Sequence, residues 1–235
     1  MKHSPESAAY KFITTYFPGC DGALLSGSVI RGEGTSASDL DIVIFQKDLP
    51  SAYRETFHLF DWPIEAFVHN FTSYRVFFES DRDRARPSLA RMIAEGQVIK
   101  EHDFLHYVKK EAEELLKAGP EPWTEGTLQT KRYMLTDVLY DFIGAENPKE
   151  ELSIAAALAD QIHEFVLRTN QQWLGYSKWV YRALLAFDPV LAEKYYQAFH
   201  VYYRTGEKKL IIALADEVLE PFGGRLVEGY SAGKI

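Results

Sequence analysis

The 235-residue chain has little cysteine: Cys20 stands alone, so no internal disulfide can staple the fold and a reducing compartment is expected. It has no uninterrupted apolar run of about 18 residues, which argues against a membrane-spanning helix. The opening residues Met1-Lys2-His3-Ser4-Pro5-Glu6 lack the apolar centre of a signal peptide, and a cytoplasmic protein is expected. A basic excess is missing as well. There are 26 Lys and Arg against 34 Asp and Glu, for a net charge of −8. Binding to a nucleic-acid backbone draws on counterion release at a basic face, so a polynucleotide partner is not expected. An acidic surface attracts cationic small molecules instead. The histidines are scattered without zinc-like spacing, and Cys20 has no partner pattern for nucleophilic catalysis. What remains is an ordinary globular composition, 46% hydrophobic and 26% charged, which excludes disorder.

The first half alternates helical and strand patterns. Ser4-Pro5-Glu6 supplies a cap, a first-turn proline and an acid at the positive end of a helix that Pro18-Gly19 stops. Residues 23–26 read as a short buried strand, 39–45 as a β-branched strand with an acidic start, and 53–60 with 63–69 as a hairpin around Asp61-Trp62. Thr72 and Ser88 stand where caps for two helices are expected, and residues 97–100 suit one more strand. An amphipathic helix follows from Phe104 to Leu116. At Gly119-Pro120-Glu121-Pro122 two prolines within three positions break the helical pattern, and everything beyond reads as helix. The expected fold is α+β: a mixed sheet flanked by helices over residues 1–118, then a helical bundle over residues 127–235.

Chemistry is concentrated in residues 27–41: Gly27-Ser28, ten residues, then Asp39-Leu40-Asp41. Side chains alternate along a strand, so Asp39, Asp41, Val43 and Phe45 share one face while Leu40, Ile42 and Ile44 point into a helix-covered core. In the later hairpin strand Glu65, Phe67 and His69 share a face. If that strand lies beside the first, Glu65 completes a group of three carboxylates. Such a group repels itself unless cations neutralise it. Hard Mg²⁺ prefers oxygen ligands and is commonly bound through carboxylates together with substrate phosphates. The Gly27-Ser28 turn complements it, because glycine lets the backbone approach phosphate and a serine hydroxyl can donate to its oxygens.

On these residues the chain resembles the DNA polymerase β-type nucleotidyltransferase superfamily. The order of helix, strand, Gly-Ser turn, two-aspartate strand and strand with a third acid is similar too. With a helical second half, the whole is most similar to bacterial antibiotic nucleotidyltransferases of the kanamycin/lincosamide type and their relatives. The resemblance implies Mg²⁺-dependent transfer of a nucleoside monophosphate, AMP in particular, from a nucleoside triphosphate to a small hydroxylated molecule such as an aminoglycoside-like antibiotic. It implies metal ligation by Asp39, Asp41 and Glu65, with glutamate at the last position where the family more often has aspartate. It also implies nucleotide contacts from Gly27, Ser28 and Ser38. The alternatives are transfer to a partner protein, as in antitoxin-like members, and a nucleotide-binding relative without catalysis.

In the second half, Asp137 and Asp141 are four residues apart on one helix, hence neighbours on one face. The resemblance implies a general base from this region, for which either aspartate qualifies and Glu164 is a further candidate. Lys178 or Arg182 could meet the triphosphate, and Trp173 or Trp179 could wall a ring.

Overall fold

The structure, a computed structural model, describes residues 3–233. The chain divides into two compact units, Met1–Gly119 and Pro120–Ile235. In the first, helix α1 (Pro5–Tyr16) is capped by Ser4, whose Oγ accepts from the Ser7 amide at 3.2 Å. Strands β1 (Gly22–Ser26), β2 (Leu40–Phe45), β3 (Tyr53–Leu59) and β4 (Trp62–His69) follow. Then come α2 (Tyr74–Asp83), α3 (Ser88–Glu95), β5 (Gln97–Lys100) and α4 (Asp103–Ala118). The sheet has the order β3-β4-β2-β1-β5; β2 and β4 run parallel and every other neighbouring pair antiparallel.

Central strand β2 is apolar on both faces because helices cover both. Leu40, Ile42 and Ile44 pack with Ala8, Ala9, Phe12 and Ile13 of α1. Val43 and Phe45 pack on the other side with Tyr74 and Phe78 of α2, Ile93 of α3 and Val108 of α4. The face that begins with Asp41 therefore ends inside a second apolar layer, which strand alternation alone does not disclose. Edge strand β3 is exposed at Tyr53, Arg54, Glu55, Thr56 and His58. Its hairpin turns at Phe60-Asp61, one residue earlier than expected, with φ of 53° and 67°. Positive φ at both central residues is what a two-residue turn between twisted strands demands.

The expected caps at Thr72 and Ser88 give way to other acceptors, a neighbouring one before α2 and a distant one at α3. Asn70 Oδ1 accepts from the amides of Thr72 and Ser73 at 2.9 and 2.7 Å. Asp81, only 1% exposed, accepts from the amides of Leu89 and Ala90 at the start of α3, at 2.8 and 3.2 Å.

The second unit is helical: α5 (Glu125–Gly144), α6 (Pro148–Thr169), α7 (Trp179–Phe187), α8 (Pro189–Thr205), α9 (Lys209–Leu219) and a 3-10 turn at Glu220–Phe222. Caps explain most of the boundaries. Thr124 accepts from Thr127, Asn147 from Lys149, and Asp188 from Val190 and Leu191, with Pro148 and Pro189 in first turns. Gly206, at φ 76°, ends α8 in the left-handed conformation. Leu135, Leu139 and Phe142 of α5 meet Leu158, Ile162 and Phe165 of α6 in a core that Leu184, Phe199, Tyr202 and Leu214 complete. Among the described residues, no helix is long and apolar enough to cross a membrane.

Candidate metal and phosphate site

The site is assembled by strand register. Asp41, the second residue of β2, is the partner of Glu65 on parallel β4 and of Ser26 on antiparallel β1. Asp39 precedes β2 by one residue. Each of Asp39, Asp41 and Glu65 offers a carboxylate oxygen, all three atoms lie within 4.8 Å of one another, and all three residues are half-buried. The structure thus brings these three side chains together at one end of β2 and β4.

Their crowding has an electrostatic signature. Burial, and then the charges of Asp39 and Glu65, push the Asp41 carboxyl up to about 6, against the opposing influence of Arg54 and Arg31. Both arginines are already engaged. Arg31 reaches Glu33 at 3.2 Å and Glu95 at 2.8 Å. Arg54 reaches across from edge strand β3 to Oε2 of Glu65 and lies over the Phe67 ring at 5.0 Å. Neither cation received a role from the sequence. The Arg54 contact is diagonal across the hairpin, since Thr56 is the direct partner of Glu65, so only the register reveals it.

Gly27 closes the other side. Its φ is +86°, and a Cβ there would stand 2.2 Å from Asp41 Oδ2. Only glycine satisfies both the backbone conformation and this approach. Ser28 is 8% exposed and donates from Oγ to Ser38 Oγ at 3.2 Å, while the Thr35 amide donates to the same Ser38 oxygen at 2.9 Å. These bonds close the loop between β1 and β2, so two hydroxyls separated by ten positions sit at one place beside the carboxylates' strand.

An all-oxygen set of three carboxylates fits a hard divalent cation. The Asp41 carboxylate lies where a side chain on residue 27 would stand, so the bare glycine lets it sit against the loop. Arg54 takes one oxygen of Glu65, and the carboxylate keeps its second. The residues present therefore fit Mg²⁺.

The remaining sequence candidates lie in the helical unit. Asp137 and Asp141 are exposed neighbours on α5, and Lys178 is exposed at the residue before α7. Glu164 is held by Lys131, whose Nζ is 2.8 Å from both carboxylate oxygens. Arg182 lies over the Trp179 ring at 5.0 Å. His69 sits at the far end of β4 from Glu65, 3% exposed and edge-on to Phe77 at 4.9 Å, where burial lowers its pKa to about 4. It is a packing residue.

Comparison with solved structures finds similarity to a nucleotidyltransferase-like protein from Exiguobacterium sibiricum 255-15, at 12% sequence identity and a TM-score of 0.46. The alignment covers 92% of this chain and 74% of that one. No family model and no curated protein matches the chain.

Proposed function

We propose that the chain is a Mg²⁺-dependent nucleotidyltransferase that moves a nucleoside monophosphate, AMP in the first instance, from a triphosphate to a hydroxyl of a small molecule of aminoglycoside-like chemistry. The observation that carries this reading is the convergence of Asp39, Asp41 and Glu65 within 4.8 Å, with Asp41 seated against the bare Cα of Gly27. A half-buried cluster of that charge costs folding free energy, and a cation-dependent reaction gives it a purpose.

In the reaction, the acceptor hydroxyl oxygen forms a bond to the α-phosphorus while the bond from that phosphorus to the bridging oxygen breaks. Pyrophosphate leaves with the electron pair, and the hydroxyl proton passes to a carboxylate base. Bound Mg²⁺ supplies charge neutralisation and polarisation of the phosphate oxygens. Asp39, Asp41 and Glu65 hold the cation. Ser28 and Ser38 offer O–H hydrogen bonds to phosphate oxygens, and Gly27 lets the Asp41 carboxylate stand against the loop that carries them. On the acceptor side, Asp137 or Asp141 takes the proton, and Lys178 offers a positive charge to the triphosphate. A helical unit with its own core supplies surface for an acceptor pocket, which favours a small molecule over a partner protein as the target.

The test is Mg²⁺-dependent release of pyrophosphate from each nucleoside triphosphate in the presence of hydroxylated aminoglycosides, with mass spectrometry of the acceptors. An added nucleoside monophosphate on an acceptor is expected. No transfer to any acceptor, together with no metal-dependent triphosphate binding, overturns the reading. Asp137→Asn and Asp141→Asn are assayed beside it. Loss of a general base costs about 10²–10⁴-fold in turnover, with triphosphate affinity retained.

A further inference from the structure

Helix α8 carries Tyr195, Phe199 and Tyr203 at four-residue spacing, and beside them Tyr196, His200 and Arg204 at the same spacing. Such rows form two adjoining ridges on one side of a helix. Together with Tyr181 of α7 they line a hollow of about 350 Å³ in the helical unit. That volume lies in the range of small-molecule pockets, about 300–1,000 Å³.

The hollow is built on rigid groups. Phe199, 6% exposed, belongs to the hydrophobic core and forms the base. Tyr195 packs its ring on Phe199 at 4.9 Å and donates its hydroxyl to the Ala159 carbonyl at 3.1 Å, which fixes it. Tyr196 stacks on His200 at 5.2 Å and meets Tyr181 edge-on at 6.3 Å. Tyr181, Tyr196 and Tyr203 nevertheless remain 39, 46 and 52% exposed. Three half-exposed tyrosines around one concavity leave aromatic surface in water that the core does not use.

Charge narrows the ligand class. No carboxylate lines this hollow among the described residues, and its one fixed cation there is Arg204, exposed in the last turn of α8. Aromatic walls alone would also suit an organic cation, but the Arg204 guanidinium repels one. We propose that the hollow binds a planar aromatic small molecule bearing an anionic group, its ring against the tyrosines and its charge toward Arg204. This proposal does not depend on the carboxylate site of the first unit.

The probes are 1-naphthoate, 1-naphthylmethylammonium and cyclohexanecarboxylate, titrated into the full chain by calorimetry and saturation-transfer NMR. One-to-one binding of 1-naphthoate is expected, with both other probes at least about fivefold weaker. Arg204→Gln should weaken 1-naphthoate about fivefold and leave the ammonium probe unchanged or tighter. Tyr196→Ala and Tyr181→Ser should each weaken 1-naphthoate; either one suffices if the other melts early. Leu210→Gln, in a separate groove between α8 and α9, should change nothing. A cation at a helix C-terminus also stabilises the helix, so a change in melting of Arg204→Gln without a change in affinity assigns Arg204 to that role and overturns the proposal. It is equally overturned if the three probes bind alike, if Leu210→Gln abolishes binding, or if 1-naphthoate fails to bind at about 10 mM.

Discussion

A Cβ on residue 27 would stand 2.2 Å from Oδ2 of Asp41, so the glycine of one loop and the carboxylate of the neighbouring strand occupy a space that admits only the pair as they are. Gly27→Ala should fail on two counts: a left-handed backbone at φ +86° and a displaced Asp41. We expect a loss of about 1–3 kcal/mol in urea unfolding, together with loss of the metal-dependent rise in melting temperature. Unchanged metal response in a folded Gly27→Ala protein would show that Asp41 can move without consequence.

Asp41→Asn should make the ion-free protein more stable at neutral pH. The Asp41 carboxyl ionises near 3.8 in a flexible chain and at about 6 in the fold. Between those values the folded state binds the extra proton, so stability falls as pH rises through this window and stays lower above it. The variant lacks that loss. In the presence of chelator it should exceed wild type by about 1–3 kcal/mol above pH 6, and the two should converge below about pH 4. Added Mg²⁺ with triphosphate should reverse the order, because ligand stabilisation follows mass action and the variant has lost a ligand. Denaturant curves at four pH values, with and without metal, check both halves.

His69 should act in the opposite sense on acidification. Its folded pKa of about 4 lies below the ordinary 6.5 because of burial, and Nδ1 has no hydrogen-bond partner among the described residues. The neutral ring is favoured in the fold, so its share of stability is present above pH 6.5 and lost as pH falls toward 4. His69→Phe keeps an aromatic ring against Phe45 and Phe77 and removes the titration. Relative to wild type, the variant should gain about 2–3 kcal/mol between pH 7 and pH 4. A parallel pair of pH–stability curves would contradict this.

Asp81 offers the contrast of a buried carboxylate with a purely structural task. Asp81→Ala strips the acceptor from two buried amides, Leu89 and Ala90. It should cost about 2–4 kcal/mol, while any metal response of the folded fraction persists. Equilibrium unfolding beside a metal titration separates this acid from Asp39, Asp41 and Glu65.

Strand alternation made much of this legible. The face shared by Asp39 and Asp41, and the pairing that brings Glu65 beside them, follow from a period of two and one assumption about neighbouring strands. What escaped was non-local. Asp81 caps a helix from eight residues away, and Arg54 reaches Glu65 only because a two-residue turn sets a diagonal. The second helical layer over Val43 and Phe45 was equally hidden, because an apolar strand reads alike whether one or both of its faces are covered.

The parallel register of β2 and β4 also sets how this protein can fail. A slip of one residue in β4 would turn Glu65 into the layer now filled by Ile64, Ala66 and Val68 against α1, and send those apolar side chains to the other face. A register slip therefore cannot scatter the carboxylates without also exposing a hydrophobic layer. Chains slipped at β4 should accordingly unfold more readily than those in the native register.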